Sequence, residues 1–304
     1  MRVIITGGTG LIGRELATSL VNDGNEVILL SRNPSRKRTE ARNGVRIEQW
    51  DGSTSQGWGH LVEGAGAIVN LAGENIGAGR WTKERKRAIL ESRVQAGQAV
   101  SEAVAKAKEK PAVVVQISGV GYYGIHKDEL ITEKSPSAED YPSRICQAWE
   151  AATAPVEEEG VRRVVVRSGV ILTTKGGALP RMLLPFKFFV GGRLGDGKQW
   201  LSWIHMRDEI AGLRYFIENS NVSGVFNLTS PYPIRNAELA GAIGHAMHRP
   251  SFFPVPAFVI RLLFGEMATT VLDGQRVLPE RLEKAGFVFN YPRIDDALNQ
   301  LLSQ

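Results

Sequence analysis

The stretch Met1-Arg-Val-Ile-Ile-Thr-Gly-Gly-Thr-Gly-Leu-Ile-Gly13 runs from a β-branched segment straight into a glycine-rich turn. A helix-like pattern with Leu16 and Leu20 follows the turn, and a second strand-like run covers 26–31. A strand, a glycine turn, a helix and a second strand in this order are typical of the βαβ unit that opens a parallel sheet. The stretch therefore predicts an α/β fold.

The spacing of three glycines gives this turn a specific role. Gly7 would turn sharply off the strand, Gly10 would let the backbone approach a pyrophosphate, and Gly13 would let the helix pack closely on the sheet. The pattern predicts a dinucleotide whose phosphates lie on the N–H groups of the first helix. The residues of the turn assigned to this cofactor are Gly7, Thr9, Gly10, Leu11, Ile12 and Gly13.

Composition limits the class of protein. The chain has 304 residues, of which 43% are hydrophobic and 23% charged, enough for one large core or two modest ones. It has no run of about eighteen apolar residues and no N-terminal signal pattern, which argues against a membrane span or secretion. Its single cysteine excludes an internal disulfide, and its histidines show no ligand-like spacing. We expect a cytoplasmic or organelle-matrix protein with no metal site.

The net charge of +5 raises the question of a nucleic-acid partner. The basic residues are interleaved with acids and form no basic aromatic stripe, so we expect none. The densest basic run is Arg32, Arg36, Lys37, Arg38 and Arg42, directly after the second strand. The 2′-phosphate of NADP would lie there, which explains part of the charge.

Strand-like runs alternate with helix-like segments through the first half of the chain, at 3–6, 27–31, 45–51, 67–71, 113–118 and 163–168. This alternation predicts a Rossmann-type, doubly wound parallel sheet, with a long helix at 81–108. Later glycines and prolines break the pattern before a run at 224–228 returns to the sheet edge. We predict an NADP(H)-binding domain at 1–168 plus about 205–229, and a smaller α+β domain at 169–204 plus 230–304.

The residues after the second strand favour NADP(H) over NAD(H). A carboxylate there would bind the ribose 2′-hydroxyl and repel a 2′-phosphate, whereas the chain has Ser31, Arg32 and Asn33. A guanidinium binds a phosphate through charge-assisted, paired hydrogen bonds. In the alternative interpretation Arg32 stacks on the adenine or faces solvent, which leaves the preference open.

Several separate motifs occur in the order of a known superfamily: Gly7-Gly-Thr-Gly-Leu-Ile-Gly13, Asn70-Leu-Ala-Gly73, Ser118-Gly-Val-Gly-Tyr-Tyr-Gly124, Val166-Arg-Ser-Gly169 and Trp203-Ile-His-Met-Arg-Asp208. On these the chain resembles the extended short-chain dehydrogenase/reductase superfamily over nearly its whole length. More narrowly, Gly73-Glu-Asn75, Arg80-Trp81, Glu91-Ser-Arg93 and stretches at 261–267, 272–279 and 285–287 are similar to an NAD(P)-dependent epimerase-family branch labelled SulA-like, which has an extra C-terminal domain.

The resemblance implies cofactor contacts beyond the first turn: Ser31 and Arg32, Asp51 near the adenine, Leu71 and Ala72 against the adenosine ribose and pyrophosphate, Ser118 beside the nicotinamide ribose, and also Gly73, Arg167 and Ser168. It also implies that Arg93, on the long helix, reaches the cofactor phosphates. The alternative for Arg93 is a surface arginine that pairs with Glu91 or another neighbour.

The catalytic pattern of the superfamily is incomplete here. Members use a Tyr and a Lys at i and i+4 of one helix, with a loop Ser or Thr, and the Lys lowers the Tyr pKa for proton exchange. In this chain Tyr141 has Ile145 at i+4, and no lysine lies between Lys134 and Lys175. Gly119 aligns with the loop Ser or Thr. Turnover would therefore need another proton donor.

Two side chains are candidates for that donor. A buried Glu150 with a raised pKa would serve as a general acid, although a helix carboxylate is more often solvated or ion-paired. Tyr122 follows the fifth strand at the ligand edge of the sheet, where it would either donate a proton or only wall the pocket. Tyr123 is assigned to the wall, and Cys146 is interpreted as a small core residue rather than a nucleophile.

Further residues are assigned to a substrate pocket. Arg80 beside Trp81 suits an anionic or planar substrate, or else a plain helix start. The histidine among them, His205, has a hydrogen-bonded structural role as its alternative. The complete predicted pocket is Glu74, Asn75, Arg80, Trp81, Tyr123, Cys146, Trp149, Trp203, His205 and Arg276.

Together these observations predict an atypical NADP(H)-dependent oxidoreductase or epimerase-like enzyme that acts on a small polar carbonyl or alcohol. The alternative is a regulatory or sensor protein that binds NADPH without turnover, which the loss of the Lys and the loop hydroxyl favours. The expected partner is a small-molecule substrate, with no nucleic acid and no membrane. Pairing of relatives through helices equivalent to 81–108 and 143–158 adds a homodimer to the expectations.

Overall fold

The structure is a computed structural model that describes residues 1–34 and 44–303, so Arg36, Lys37, Arg38 and Arg42 of the basic run lie outside the described residues. The strands are β1 (Arg2–Thr6), β2 (Glu26–Ser31), β3 (Val45–Gln49), β4 (Ala67–Asn70), β5 (Val113–Gly119), β6 (Leu130–Ile131), β7 (Arg162–Ser168), β8 (Val170–Leu172), β9 (Trp200–Leu201), β10 (Trp203–His205), β11 (Gly224–Leu228), β12 (Ile234–Arg235) and β13 (Arg276–Val277). The α-helices are α1 (Leu11–Asn22), α2 (Lys83–Lys106), α3 (Tyr141–Ala152), α4 (Leu179–Lys187), α5 (Met206–Glu218), α6 (Asn236–Met247), α7 (Ala257–Phe264), α8 (Thr269–Leu272), α9 (Glu280–Lys284) and α10 (Ile294–Leu302).

Seven parallel strands form the central sheet in the order β11-β7-β5-β4-β1-β2-β3. The predicted α/β fold with a doubly wound parallel sheet is confirmed, and β11 adds to the edge beside β7. The strand order reverses between β1 and β4, and ligands of such sheets bind at the carboxyl ends of the strands around that reversal.

The sheet is buried on both faces because its strands are almost continuously apolar. Along β1, Val3 and Ile5 pack in one core with α1 and α5, whereas Ile4 packs in a second core with α2. Alternate residues of a strand point to opposite faces, so a single strand supplies both cores. This arrangement fixes α1 and α2 on opposite sides of the carboxyl-end crevice.

The segments outside the sheet build a third core. It contains Leu183 of α4, Leu239 of α6 and Leu298 of α10, together with the fully buried Trp203 of β10. Three two-stranded sheets accompany it: β8 with β10, β9 with β12, and β6 with β13. Among the described helices, none is both long and apolar enough to cross a bilayer.

Candidate dinucleotide site

The glycine turn after β1 is built by close backbone approach. Gly7 has a φ of +62°, and a Cβ on it would lie 2.8 Å from the carbonyl carbon of Leu71. A Cβ on Gly13 would lie 2.5 Å from the Cα of Gly8. Helix α1 starts after Gly10 with no side-chain cap from the described residues, so its first N–H groups suit an anion. These features fit the pyrophosphate of a dinucleotide.

Arg32 lies at the carboxyl end of β2, and its side chain is 68% exposed. Its Nη2 is 3.3 Å from Oε1 of Glu74, and a Cβ on Gly52 would lie 3.4 Å from its Cδ. The neighbouring Ser31 is buried and accepts the N–H of Asn33 at 3.2 Å. An exposed guanidinium that pairs with a single carboxylate among the described residues is available to a phosphate.

Asp51 is occupied by a local turn. One carboxylate oxygen accepts the N–H groups of Ser53 and Thr54 at 2.7 and 2.8 Å, and the other accepts the Thr54 hydroxyl at 2.6 Å. Burial acts to raise the pKa of Asp51, but these hydrogen bonds outweigh it and the pKa is lowered. A contact between Asp51 and the adenine stays a prediction.

Glu74, assigned to the substrate pocket, instead connects several parts of the crevice. Its carboxylate faces Arg32 and also Arg85 of α2, at 3.8 Å. Its backbone N–H donates to the Ser92 hydroxyl oxygen at 3.0 Å, and its backbone carbonyl accepts a hydrogen bond from Nη1 of Arg93 at 3.0 Å. Glu74 therefore links the end of β2 to two turns of α2.

The side chains of Arg80 and Asn75 form structural hydrogen bonds and do not face an open pocket. Arg80 donates from Nε to the Leu263 carbonyl at 3.0 Å and from Nη2 to the Leu262 carbonyl, at the end of α7. Asn75 accepts the N–H of Gly77 at 2.9 Å within a tight turn. The expectation that Arg80 faces a substrate is corrected, because its donors complete the last turn of α7.

Trp81 has a packing role as well. It is 9% exposed, donates Nε1 to the Ile76 carbonyl at 3.0 Å and packs edge-on against Tyr141 at 5.0 Å. The adjacent Thr82 caps α2 by accepting the N–H of Arg85 at 3.2 Å. The plain helix start, which the sequence left open, is what the structure contains.

Glu150 and Arg167 form a buried ion pair. Nε and Nη2 of Arg167 donate to the two carboxylate oxygens of Glu150 at 2.9 and 2.8 Å, and the Ser118 hydroxyl donates to Oε1 at 2.7 Å. Both oxygens therefore have donors, and Glu150 is not placed to act as a general acid. Arg167 is 4% exposed and wholly engaged, so its assignment to the cofactor is also corrected.

Tyr123 belongs to the core beneath this pair. Its hydroxyl accepts Nη1 of Arg167 at 3.0 Å and donates to Asn227 at 2.7 Å, and none of its surface is exposed. Burial raises the pKa of Tyr123 to about 12. Its assignment to the pocket wall is wrong, because a fully buried ring cannot line a ligand.

Tyr122 remains the one candidate donor that no contact disqualifies. Its half-buried ring lies under the Arg167 guanidinium, whose Cζ is 3.2 Å from the ring centroid. Its hydroxyl has no hydrogen-bond partner within residues 1–34 and 44–303. A Cβ on Gly119, which aligns with the family's reactive hydroxyl, would meet nothing closer than 3.8 Å. Position 119 could therefore hold a Cβ in ordinary van der Waals contact, and the nearby Tyr122 hydroxyl has no described partner.

Cys146 lies beside Gly119. Its Sγ is 3.6 Å from the Gly119 carbonyl oxygen, and the residue is 8% exposed. Burial raises the pKa of the Cys146 thiol to about 11, which keeps it protonated near neutral pH. The geometry favours the small core residue over a nucleophile.

Arg93 and Trp149 stack on each other between α2 and α3. Cζ of Arg93 lies 4.6 Å from the Trp149 ring centroid, and a Cβ on Gly73 would lie 3.0 Å from the same atom. Arg93 is 8% exposed, so it is not the surface arginine of the alternative interpretation. The carboxylate of Glu91 instead lies 3.8 Å from Arg87.

Two further residues assigned to the substrate pocket are buried. Trp203 is fully buried and donates to the Tyr232 carbonyl at 3.1 Å. His205, 1% exposed, caps α5 by accepting the N–H of Arg207 at 3.0 Å. Both are therefore excluded from the pocket. Arg276 is half-buried, with its Cζ 4.6 Å from the ring centroid of Trp200.

Sequence reasoning missed the acid next to Ser168. Ser168 donates its hydroxyl to Glu209 of α5 at 2.8 Å, and Glu209 is fully buried with Oε1 unpartnered by any described residue. Burial raises the pKa of Glu209 to about 8. The sequence feature that could have revealed Glu209 is its position, because it lies on the apolar face of α5 with Leu213 and Phe216.

The glycine turn, the doubly wound sheet and the crevice at the strand reversal define a dinucleotide-binding protein of the Rossmann class. The chain belongs to the NAD dependent epimerase/dehydratase family, whose model matches residues 3–229. A domain of unknown function, DUF1731, matches residues 255–301.

Curated relatives match the whole chain. The epimerase family protein YfhF of Bacillus subtilis is 39% identical over 100% of this chain and 98% of its own length. SDR39U1 of Bos taurus is 39% identical over 100% of both chains, and an Arabidopsis thaliana homologue, described as chloroplastic, is 38% identical over 99% of this chain and 87% of its own. These relatives give no support to the narrower SulA-like branch.

Solved structures agree with this fold. Human SDR39U1 isoform 2 with NADPH superposes with a TM-score of 0.88 at 35% identity, covering 100% of each chain. A nucleoside-diphosphate sugar epimerase from Corynebacterium glutamicum gives a TM-score of 0.79 at 33% identity, over 99% of this chain and 58% of that one.

Proposed function

We propose that this chain binds NADPH in preference to NADH and is an atypical oxidoreductase or epimerase-like enzyme for a small polar carbonyl or alcohol. The observation that carries the cofactor preference is the exposed Arg32 at the end of β2, where no carboxylate follows the strand. The NADPH in the human SDR39U1 structure supports the same choice.

Different residues along the crevice would bind different parts of the cofactor and the substrate. The turn around Gly7 and Gly13 would hold the pyrophosphate, and Arg32 would bind the 2′-phosphate. Bound NADPH would supply a hydride at the end of β5 beside Gly119. Tyr122 is the phenol left to donate a proton to the substrate oxygen.

A protein that senses NADPH without turnover is the second candidate. It is favoured by the missing loop hydroxyl at Gly119 and by the engagement of Glu150 with Arg167. A cytoplasmic or organelle-matrix location, a homodimer, and the absence of nucleic-acid and membrane partners stay predictions for either candidate.

Arg32→Glu tests the cofactor preference. Replacing a cation that faces a phosphate with an anion removes a charge-assisted hydrogen bond and adds repulsion, so NADPH affinity should fall by roughly 10- to 100-fold or more. NADH affinity should change little. Both are measured by titration of nicotinamide fluorescence, with Arg87→Glu on the exposed face of α2 as the control. Equal losses for both cofactors would refute the 2′-phosphate assignment.

Tyr122→Phe separates the enzyme from the sensor. Wild-type protein is first screened for substrate-dependent NADPH oxidation over a broad panel of carbonyl compounds. With an active substrate, the variant should lose about 100-fold or more in kcat while binding NADPH normally. Unchanged kcat would remove Tyr122 as the donor, and no turnover across the panel would favour the sensor.

A further inference from the structure

Arg93 is a buried cation without a counter-charge. The residue is 8% exposed, yet it forms no ion pair with any described carboxylate, and only Nη1 donates, to the carbonyls of Glu74 and Ile89 at 3.0 Å each. Burial lowers the pKa of Arg93. Buried charges in proteins are normally paired because an unpaired one is costly to desolvate.

A second donor beside it also lacks a partner. Nε1 of Trp149 is buried with no acceptor in the described part of the chain, and its ring lies against the Arg93 guanidinium. Gly73 presents no side chain to the guanidinium, since a Cβ there would lie 3.0 Å from Cζ. Donors are thus concentrated where no acceptor is supplied, a pattern that calls for an acceptor from outside the chain.

The position of these donors is at the ligand edge. Gly73 follows β4, and the preceding Leu71 and Ala72 contact the glycine turn through Gly7. Arg93 comes from α2 and Trp149 from α3; α2 packs against α3, which in turn packs against β5. An anion held there would lie between the glycine turn and the predicted place of the nicotinamide.

We propose that Arg93, with Trp149 beside it, forms an oxyanion subsite that holds the carboxylate or phosphate of an acidic substrate. This rests on the proposed function, since it adds a substrate class to the same crevice. Nε and Nη2 of Arg93 have no hydrogen-bond partner among the described residues, so they offer the paired donors that a carboxylate or phosphate accepts. The same oxyanion chemistry could come from the cofactor's own pyrophosphate, and the experiment separates the two sources.

The test titrates inorganic phosphate and oxalate, by calorimetry, into wild-type protein already saturated with NADPH. The loaded protein should bind at least one of these anions. Arg93→Gln should weaken that binding at least tenfold and change the NADPH dissociation constant less than threefold. Arg87→Gln is the matched control, since the same change on the exposed face of α2 should alter neither binding.

Trp149→Phe is the second variant. It keeps an aromatic ring against the guanidinium and removes only the indole N–H, so we expect anion binding to weaken several-fold with the fold intact. Circular dichroism and a thermal melt accompany each variant. If Arg93→Gln fails to fold, Arg93→Lys keeps the charge, loses the paired donors and should still weaken the anion at least threefold.

Three outcomes overturn the proposal. If Arg93→Gln weakens NADPH tenfold and the loaded wild type takes up no anion, the pyrophosphate is the counter-charge and the substrate subsite is wrong. If no anion binds and NADPH affinity is unchanged, there is no oxyanion site. If the Arg93 variants bind the anions as wild type does, the anions bind elsewhere. Failure of NADPH binding in wild type would instead refute the proposed function, and anion titration of the free protein would still test Arg93.

Discussion

Two buried glutamates near the end of β7, Glu150 and Glu209, have different hydrogen-bond partners for their carboxyl groups. Glu150 is matched by Arg167, with both of its oxygens engaged. Burial disfavours the charged form of Glu209 and raises its pKa to about 8, although the Ser168 hydroxyl, its one hydrogen-bond partner among the described residues, acts to lower it. The charged form of Glu150 is thus matched by a cation, whereas no described cation pairs with Glu209.

Glu209 makes stability depend on pH. Its folded pKa of about 8 lies above the ordinary value of 4.5, so the folded state holds a proton that the unfolded state releases in this window. Stability should therefore fall as pH rises from about 4.5 to 8, by on the order of 3–5 kcal/mol. Glu209→Gln should remove most of this loss, as measured by urea unfolding at pH 5 and pH 8.5.

The control for Glu209 is Glu91→Gln, since Glu91 is an exposed carboxylate on α2 whose side chain is 54% exposed. It should leave the pH profile of the wild type unchanged. A Glu209→Gln profile parallel to the wild type would show that this carboxyl does not carry the pH dependence.

Residue roles were the hardest part to predict from the sequence. The partner of Glu150 lies 17 positions away on strand β7, and that of His205 lies 95 positions away on α10. Spacing along one helix cannot reveal such pairs, because they exist only once the sheet has assembled. Glu209, by contrast, could have been predicted, because it lies on the apolar face of α5 with Leu213 and Phe216.

At the scale of elements, the glycines of the first turn show how local sequence determines packing. Gly13 allows α1 to lie against the backbone at Gly8. Strands, helices and sheet class could be predicted because they follow from local periodicity and glycine spacing. The ends of elements shifted by about two residues, as for α2, predicted at 81–108 and observed as Lys83–Lys106.

Gly13→Ala tests the close approach of α1. A Cβ 2.5 Å from the Gly8 Cα forces the helix away from the turn, which should cost about 1–3 kcal/mol and abolish tight NADPH binding. Gly241→Ala in α6 is the matched control, because its Cβ would meet nothing within 4 Å. The control should gain about 0.5–1 kcal/mol. Equal effects in denaturant unfolding would contradict the packing argument.

At the scale of the whole molecule, the segment after β4 joins the crevice to the C-terminal part of the chain. Arg80 donates to carbonyls at the end of α7, and Arg181 of α4 donates to the Gly77 carbonyl at 2.7 Å. Two arginines thus connect the loop at 77–80 to two helices outside the sheet. Such long-range contacts have no signature in local sequence.

Arg80→Ala should loosen α7 without unfolding the protein. The last carbonyls of α7 lose their donors, so amide hydrogen exchange across 257–264 should quicken several-fold, while the melting temperature should change by no more than about 2 °C. Mass spectrometry of deuterated peptides measures both α7 and the sheet in one experiment. Equal increases in exchange across the whole protein would show that Arg80 acts globally. The control Arg87→Ala should change exchange neither in α7 nor in the sheet.

The contact between Arg32 and Glu74 has a further consequence for how a nucleotide would enter. Without a ligand, the guanidinium already has an anion beside it, so an incoming 2′-phosphate would exchange one anion for another. NADH brings no such replacement. Selectivity would then depend on the hydration and mobility of the displaced carboxylate as well as on attraction, and Arg85 is in place to receive it. Binding of a 2′-phosphate at Arg32 would therefore displace the Glu74 carboxylate toward Arg85 of α2.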